Sequence, residues 1–270
     1  MQIPVASDTG PVLDAEVFGE GEPLLLIGGM SAHRGMWTDE LLDELTPHFS
    51  VAVYDHRGIG ASSRAEGPFT IADLADDARG ILDGLDWDGA HVLGTSMGGM
   101  IAQELALAAP DRVRSLVLGC TTAGGPGAIG APGAIRLVEA ISSRDATRVA
   151  RTAFEVNLSP GFTARAGAFD RFVSLSTQRR VPSAVVAWQA GACAGHDTRA
   201  RIGSLTMPTA VIHGDVDEVI AVDEGERLAD LIPQATLTRW AGVGHMFWWE
   251  RPGDTAEVVR KIARENPSGR

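Results

Sequence analysis

Three short stretches carry side chains that could act together on an acyl group. The first is Gly94-Thr95-Ser96-Met97-Gly98, between the apolar run Ala90–Leu93 and the helix-like run Met100–Ala109. Read as strand, turn and helix, it is a G-x-S-x-G nucleophile elbow. A serine on so tight a turn projects its hydroxyl clear of both flanking backbones. Small residues two positions either side let the strand and helix pass that close. The following helix aims its N-terminal N–H groups at any oxyanion forming there. The second stretch is Gly242-Val243-Gly244-His245-Met246, after the last strand-like run. A histidine on a glycine-loosened loop can take the hydroxyl proton and return it to a leaving group. The third is His213-Gly214-Asp215-Val216-Asp217-Glu218. A carboxylate there can fix the tautomer of His245 and stabilise its imidazolium. Asp217, a few residues past a strand end, is the first choice. Asp215 suits local turn hydrogen bonds, and Asp223 is a remote third.

An oxyanion also needs two backbone N–H donors. Met97, next to the serine, is one. Met30, in the loop Gly28-Gly29-Met30, is the other. Gly29, His33, Trp37, Phe154, Trp188, Met246 and Phe247 are candidate substrate contacts. Phe169, Phe172 and Trp248 are further candidate walls. The competing reading is plain core packing for the aromatics and an exposed loop position for His33. His91 and His196 read as surface or structural residues. Cys120, at a strand end near the elbow, lacks a base of its own and reads as a small packing residue.

These groups need elements to hold them. Strands are expected at Val12–Phe18, Leu24–Ile27, Val51–Tyr54, Ala90–Leu93, Val113–Leu118, Thr209–His213 and Ala235–Trp240. Helices are expected at Trp37–Leu45, Thr70–Leu85, Met100–Ala109 and Thr255–Ala263, with 266–270 a loose tail. Thr70 is the N-cap of its helix, whose aspartates should mostly face water. Alternating strands and helices imply an α/β fold, a mostly parallel sheet with helices on both faces. Ligands sit at the carboxyl ends of such strands, where each polar loop above lies. The alternation breaks between Gly124 and Ala200, which carries helical segments near Ile135–Ile141, Ala146–Leu158, Phe169–Ser176 and Ala184–Ala194. The expected organisation is a core of 1–123 and 201–270 with a helical cap (lid) of 124–200.

The chain has 270 residues and a formal net charge of −12. Such acidity argues against nucleic-acid or anionic-membrane partners. No apolar run approaches membrane-spanning length. The N-terminus lacks the basic and apolar regions of a signal peptide, and Cys120 and Cys193 suit free thiols in a reducing cytoplasm. No Cys or His pair has zinc-ligand spacing. Residues 124–200 hold nine arginines against five acids. That excess reads either as solvated helix faces or as an electropositive lid drawing in anionic substrates.

Taken together, these motifs resemble the α/β-hydrolase superfamily over nearly the whole chain. The residues that carry the resemblance are Gly28-Gly29-Met30, Asp55-His56-Arg57-Gly58-Ile59-Gly60-Ala61-Ser62, Gly94 to Gly99, His213 to Asp217, Gly244-His245 and Glu250-Arg251-Pro252. The chain order Ser96, Asp217, His245 is also that superfamily's. Many members carry His-Gly before the oxyanion residue. The Gly-Gly form here resembles the aclacinomycin methylesterase, enol-lactonase-like and cofactor-free haloperoxidase-like bacterial group. It keeps the backbone donor and removes one side chain from the pocket rim. The resemblance implies that Asp55, His56 and Arg57 buttress the oxyanion strand, with His56 alternatively bordering the pocket.

The expected activity is that of a serine hydrolase acting on a carboxylic ester or lactone through an acyl-enzyme, with no metal or organic cofactor. Carbon–carbon bond hydrolysis and perhydrolysis of a small acid would use the same triad. Different classes are a binding protein that keeps the fold and a cofactor-free oxygenase whose histidine deprotonates an aromatic substrate. The expected partner is a medium-sized, partly apolar small molecule. Both a monomer and a homo-oligomer stay open.

Overall fold

The computed structural model describes residues 1–4 and 11–265; the tail read over 266–270 lies outside them. Eight strands build one sheet: β1 (Gln2–Pro4), β2 (Val12–Phe18), β3 (Glu22–Ile27), β4 (Phe49–Tyr54), β5 (Ala90–Thr95), β6 (Val113–Gly119), β7 (Thr209–Gly214) and β8 (Thr236–Trp240). Their spatial order is β1-β2-β4-β3-β5-β6-β7-β8. β1 and β2 pair antiparallel, and β2 joins β4 antiparallel. Every pairing from β4 through β8 is parallel.

The helices are α1 (Asp39–Leu45), α2 (Ile71–Gly84), α3 (Met97–Ala108), α4 (Pro132–Ser142), α5 (Ala146–Asn157), α6 (Pro160–Thr163), α7 (Ala168–Ser176), α8 (Ser183–Ala194), α9 (Val222–Leu231), α10 (Phe247–Glu250) and α11 (Pro252–Arg264). Successive strand side chains point to opposite faces, so the apolar run of β3 feeds two cores. Leu24 and Leu26 pack with Leu41 of α1 and Val259 and Ile262 of α11. Leu25 and Ile27 pack with Leu74 and Ile81 of α2 and Ile101 of α3. This double burial is why the central strands read as continuous apolar runs.

Local chemistry sets the helix ends. Thr70 caps α2 in a capping box with Asp73, through N–H bonds of 3.1 and 2.8 Å. Of the α2 aspartates, Asp77 departs from the expectation: it is fully buried and grips Arg57 with bonds of 2.6 and 2.7 Å. The helix expected from Trp37 begins later. A 3-10 turn spans Arg34–Met36, and the Thr38 side chain accepts the Leu41 N–H to start α1 at Asp39.

Helices α4–α8 all lie between β6 and β7, and no strand falls among them. The two ends of this inserted segment meet. Gly124 and Asp197 form an antiparallel bridge, and the Thr198 N–H donates to Ala123 O at 2.8 Å. Three of the nine arginines in this segment have a specific use. Arg136 pairs with Glu218, Arg171 with Glu40, and Arg179 with both Asp14 and Asp55. Inserted cations thus meet acids of the sheet domain. Arg136 and Arg171 are about half exposed, so each such pair is worth at most about 1 kcal/mol. The buried aromatics beneath the segment contribute more.

Candidate active site

Ser96 occupies the turn between β5 and α3 with φ +56 and ψ −122, a conformation that non-glycine residues rarely adopt. Close packing holds it there. A Cβ on Gly98 would lie 2.0 Å from Ile27 O, and one on Gly94 would lie 2.2 Å from Gly98 O. The helix therefore crosses against the ends of β3 and β5 at backbone distance. Gly98→Ala must push the Ile27–Gly28 backbone aside. We expect it to cost at least about 1–3 kcal/mol in urea denaturation, together with slower labelling of Ser96 by a fluorophosphonate.

Gly29 lies directly against the serine: a Cβ there would be 3.1 Å from Ser96 Cβ. Met97 opens α3, buried, and Met30 is half-buried. Their neighbours' N–H groups are occupied. Ser31 donates to Gln189, while Gly99 and Met100 donate to Ser96 O. Among the described residues the N–H groups of Met30 and Met97 carry no partner. Both groups are therefore free to donate. The loop that carries Met30 is buttressed from β4. His56 donates from Nε2 to Gly28 O at 2.9 Å, and burial lowers its pKa, which keeps the ring neutral. Asp55 accepts the Arg34 N–H at 2.7 Å. These residues support the loop from within the core; His56 is 1% exposed.

The histidine arrives from the far side of the sheet. The loop after β8 passes over β7, where a Cβ on Gly214 would meet Val243 O at 2.1 Å. It continues to β6, where the Phe247 ring fills the space over Gly119. Gly119 O in turn accepts the Ser96 N–H at 2.9 Å. His245 sits between these two anchor points. Its Nδ1 donates to Asp217 Oδ2 at 2.7 Å. Ser96 Oγ makes no hydrogen bond to His245 among the described residues; such contacts commonly tighten only with substrate bound.

Asp217 is fully buried and well satisfied. Its Oδ1 accepts the Val219 and Ile220 N–H groups at 2.8 and 3.0 Å. Its Oδ2 also faces His213 Nε2 at 3.2 Å. Burial opposes the charge, but His245, His213 and their hydrogen bonds outweigh it and hold the carboxyl well below its usual range. A lowered carboxylate stabilises the fold above about pH 4, and that contribution is lost as pH falls through the folded value. Asp215 instead accepts the Gly242 N–H at 2.7 Å, and Asp223 is exposed in the first turn of α9.

Three supports were not read from the sequence as such. His213 braces Asp217 from within the core. Glu250 accepts the Gly244 N–H at 3.0 Å and the Ser159 N–H at 2.8 Å, tying the histidine loop to the inserted segment. Gln189 of α8 accepts the Ser31 N–H at 2.9 Å. The Glu250-Arg251-Pro252 and His213-Gly214 motifs were visible. Gln189 had no motif to mark it. Cys120 is fully buried beside the Ser96 backbone, and burial followed by the Asp217 charge pushes its thiol well up, away from nucleophilic use.

Several candidate wall residues are buried in packing clusters. His33 is 2% exposed: its Nδ1 accepts the Gly35 N–H and its Nε2 donates to Leu175 O. Trp37 packs at a tilt against Trp248, with ring centroids 5.3 Å apart, within the core that α1 and α11 cover. Phe247 is fully buried against Trp240 and Trp248. Met246 is buried, with its N–H on Asn157 O at 2.7 Å. Phe154 packs between Phe169 and Phe172, at 5.3 and 5.5 Å, and Phe172 leans on Trp249. Helical spacing of aromatics marks a buried stripe, not its contents. Phe154→Ala should therefore cost about 3–5 kcal/mol of stability by denaturant titration. Trp188 remains half-buried against Phe69 and is still available as a wall.

Among the described residues, no group of three or more His, Cys, Asp or Glu side chains could hold a metal ion. No helix among them is long and apolar enough to cross a membrane.

A family model for the alpha/beta hydrolase fold matches residues 22–252. The chain belongs to the α/β-hydrolase family. A crystal structure of a hydrolase from Pseudomonas aeruginosa PA01 is 33% identical, covers 97% of both chains and has a TM-score of 0.83. A thermophilic esterase from Thermogutta terrifontis is 27% identical over 98% of both chains, also with a TM-score of 0.83. The putative carbamate hydrolase RutD of Azorhizobium caulinodans is 44% identical over 103 residues. That stretch is 38% of this α/β-hydrolase and 38% of the relative, so the match spans well under half of either protein.

Proposed function

We propose that this α/β-hydrolase cleaves a carboxylic ester or lactone through an acyl-enzyme on Ser96. The observation that carries the reading is the 2.7 Å bond from His245 Nδ1 to the buried Asp217 carboxylate. A histidine that donates from Nδ1 keeps a lone pair on Nε2 for a serine proton. Ser96 attacks the acyl carbon as His245 takes its proton, and Asp217 stabilises the imidazolium. The N–H groups of Met30 and Met97 receive the oxyanion. His245 then protonates the leaving oxygen, and water clears the acyl group by the same steps in reverse order. The inserted helices act as a cap over this reaction, with Trp188 on its wall.

Similarity to an esterase and to a putative carbamate hydrolase supports attack on an acyl carbon. The test is a fluorogenic panel of esters and lactones varied in acyl length, run beside fluorophosphonate labelling. Peptide mapping should find the phosphonyl group on Ser96, with turnover lost in proportion to labelling. Turnover that persists after complete labelling would falsify the proposal.

A further inference from the structure

Gln189 is a buried polar side chain that the proposed chemistry leaves unused. It sits on α8 with no exposed surface. Its Oε1 accepts the Ser31 N–H at 2.9 Å, across 158 residues of chain. Its Nε2 is buried and carries no hydrogen bond among the described residues. Buried donors are rarely left in that state, because their lost hydration is not repaid. Turning the amide over does not help: it would set NH2 against the Ser31 N–H, donor against donor, and leave the oxygen unpaired.

The position of this donor gives it meaning. Ser31 holds φ +58, a strained value for a residue with a Cβ. It follows Met30, the proposed oxyanion donor, and consecutive Cα atoms are about 3.8 Å apart. Nε2 shares a carbon with the oxygen that Ser31 binds. The unpaired NH2 therefore lies at the contact between α8 and the loop that carries Met30.

We infer that Gln189 is a specificity-determining residue whose NH2 donates to a second, neutral oxygen on the acyl part of the substrate, marking the substrate as an ester or lactone of an oxo acid. Its Oε1 meanwhile holds the oxyanion loop in place. A neutral amide donor suits a keto oxygen. This inference rests on the proposed acyl-enzyme reaction.

The experiment compares two esters of equal length, p-nitrophenyl 4-oxopentanoate and p-nitrophenyl pentanoate. The wild-type enzyme should favour the oxo ester by about 10-fold or more in kcat/KM after correction for the two uncatalysed rates. Gln189→Glu keeps an oxygen for Ser31 and replaces the donor. It should bring that ratio to about one, whatever it does to both rates. Gln189→Leu, a second variant, should do the same. A wild-type ratio near one, or a ratio that both variants leave unchanged, overturns the inference. Variants that slow both esters alike while keeping the ratio leave Gln189 only its role in holding the loop. Fluorophosphonate labelling separates the two levels. A wild-type enzyme labelled on Ser96 but indifferent to the oxo group defeats this inference alone, whereas an enzyme that is neither labelled nor active on either ester defeats the acyl-enzyme reading beneath it.

Discussion

Replacing Ser96 with alanine should reduce ester turnover by a factor on the order of 10^6, with binding of the ester largely retained. The reason lies in what alanine leaves behind. The proposed oxyanion donors, the N–H groups of Met30 and Met97, remain, and the Asp217–His245 pair is untouched. A residual rate of about 10^3–10^4 over water can survive on those groups alone. What disappears is the covalent route. The substitution itself should be benign for the fold. Ser96 holds a strained φ of +56, yet its side chain makes no hydrogen bond among the described residues. The denaturation midpoint should therefore stay close to that of the wild type. Single-turnover and steady-state assays on the purified variant provide the check. A loss of less than about 100-fold would mean that another group attacks the acyl carbon.

Asp217→Asn should lower kcat by about 10^4 with a far smaller change in KM. Oδ1 of the asparagine can still accept the Val219 and Ile220 N–H groups. Its NH2 must then occupy the place of Oδ2, facing His245 Nδ1 and His213 Nε2. His245 can meet an NH2 only by accepting at Nδ1, which moves its proton to Nε2 and leaves no lone pair for Ser96. His213 fares no better. Its Nε2–H already donates to Ile220 O at 2.9 Å and would now confront a second donor. Asp215→Asn is the matched control. Asp215 holds only the Gly242 N–H, so kcat should change by no more than several-fold. Equal losses in the two variants would remove Asp217 from its proposed role.

The chemistry and its scaffold differ in how well the sequence announces them. The parallel strands were legible because burial on both faces leaves an unbroken apolar run, as in Leu24–Ile27. The elbow was legible because its glycines are demanded by packing in which any Cβ would fall about 2 Å from a backbone oxygen. The gap in strand signal between Gly124 and Ala200 marked the inserted helices. Short elements such as β1, α6 and α10 were missed because three or four residues carry no period. Pocket residues were the weakest reading. Phe154, Trp37 and Phe247 share composition and spacing with any core aromatic, and only tertiary packing decides which side of a helix meets solvent, ligand or sheet. His33 departs from its competing reading as an exposed residue: loop residues are usually exposed, but this loop is covered by α7. Gln189 had the opposite problem. Glutamine on a helix reads as a solvated face, and its pairing with Ser31 spans the chain.

The place where β6 gives way to the inserted helices has an evolutionary consequence. Departing and returning strands of chain are clasped at one point, Gly124 against Asp197. An insertion with adjoining ends imposes no span on its host. Helices can be lengthened, lost or exchanged beyond that clasp while β6 and β7 keep their register. What limits such exchange is the set of bonds that reach back to the loops around Ser96 and His245: Gln189 on Ser31, Asn157 on Met246 and Ser159 on Glu250.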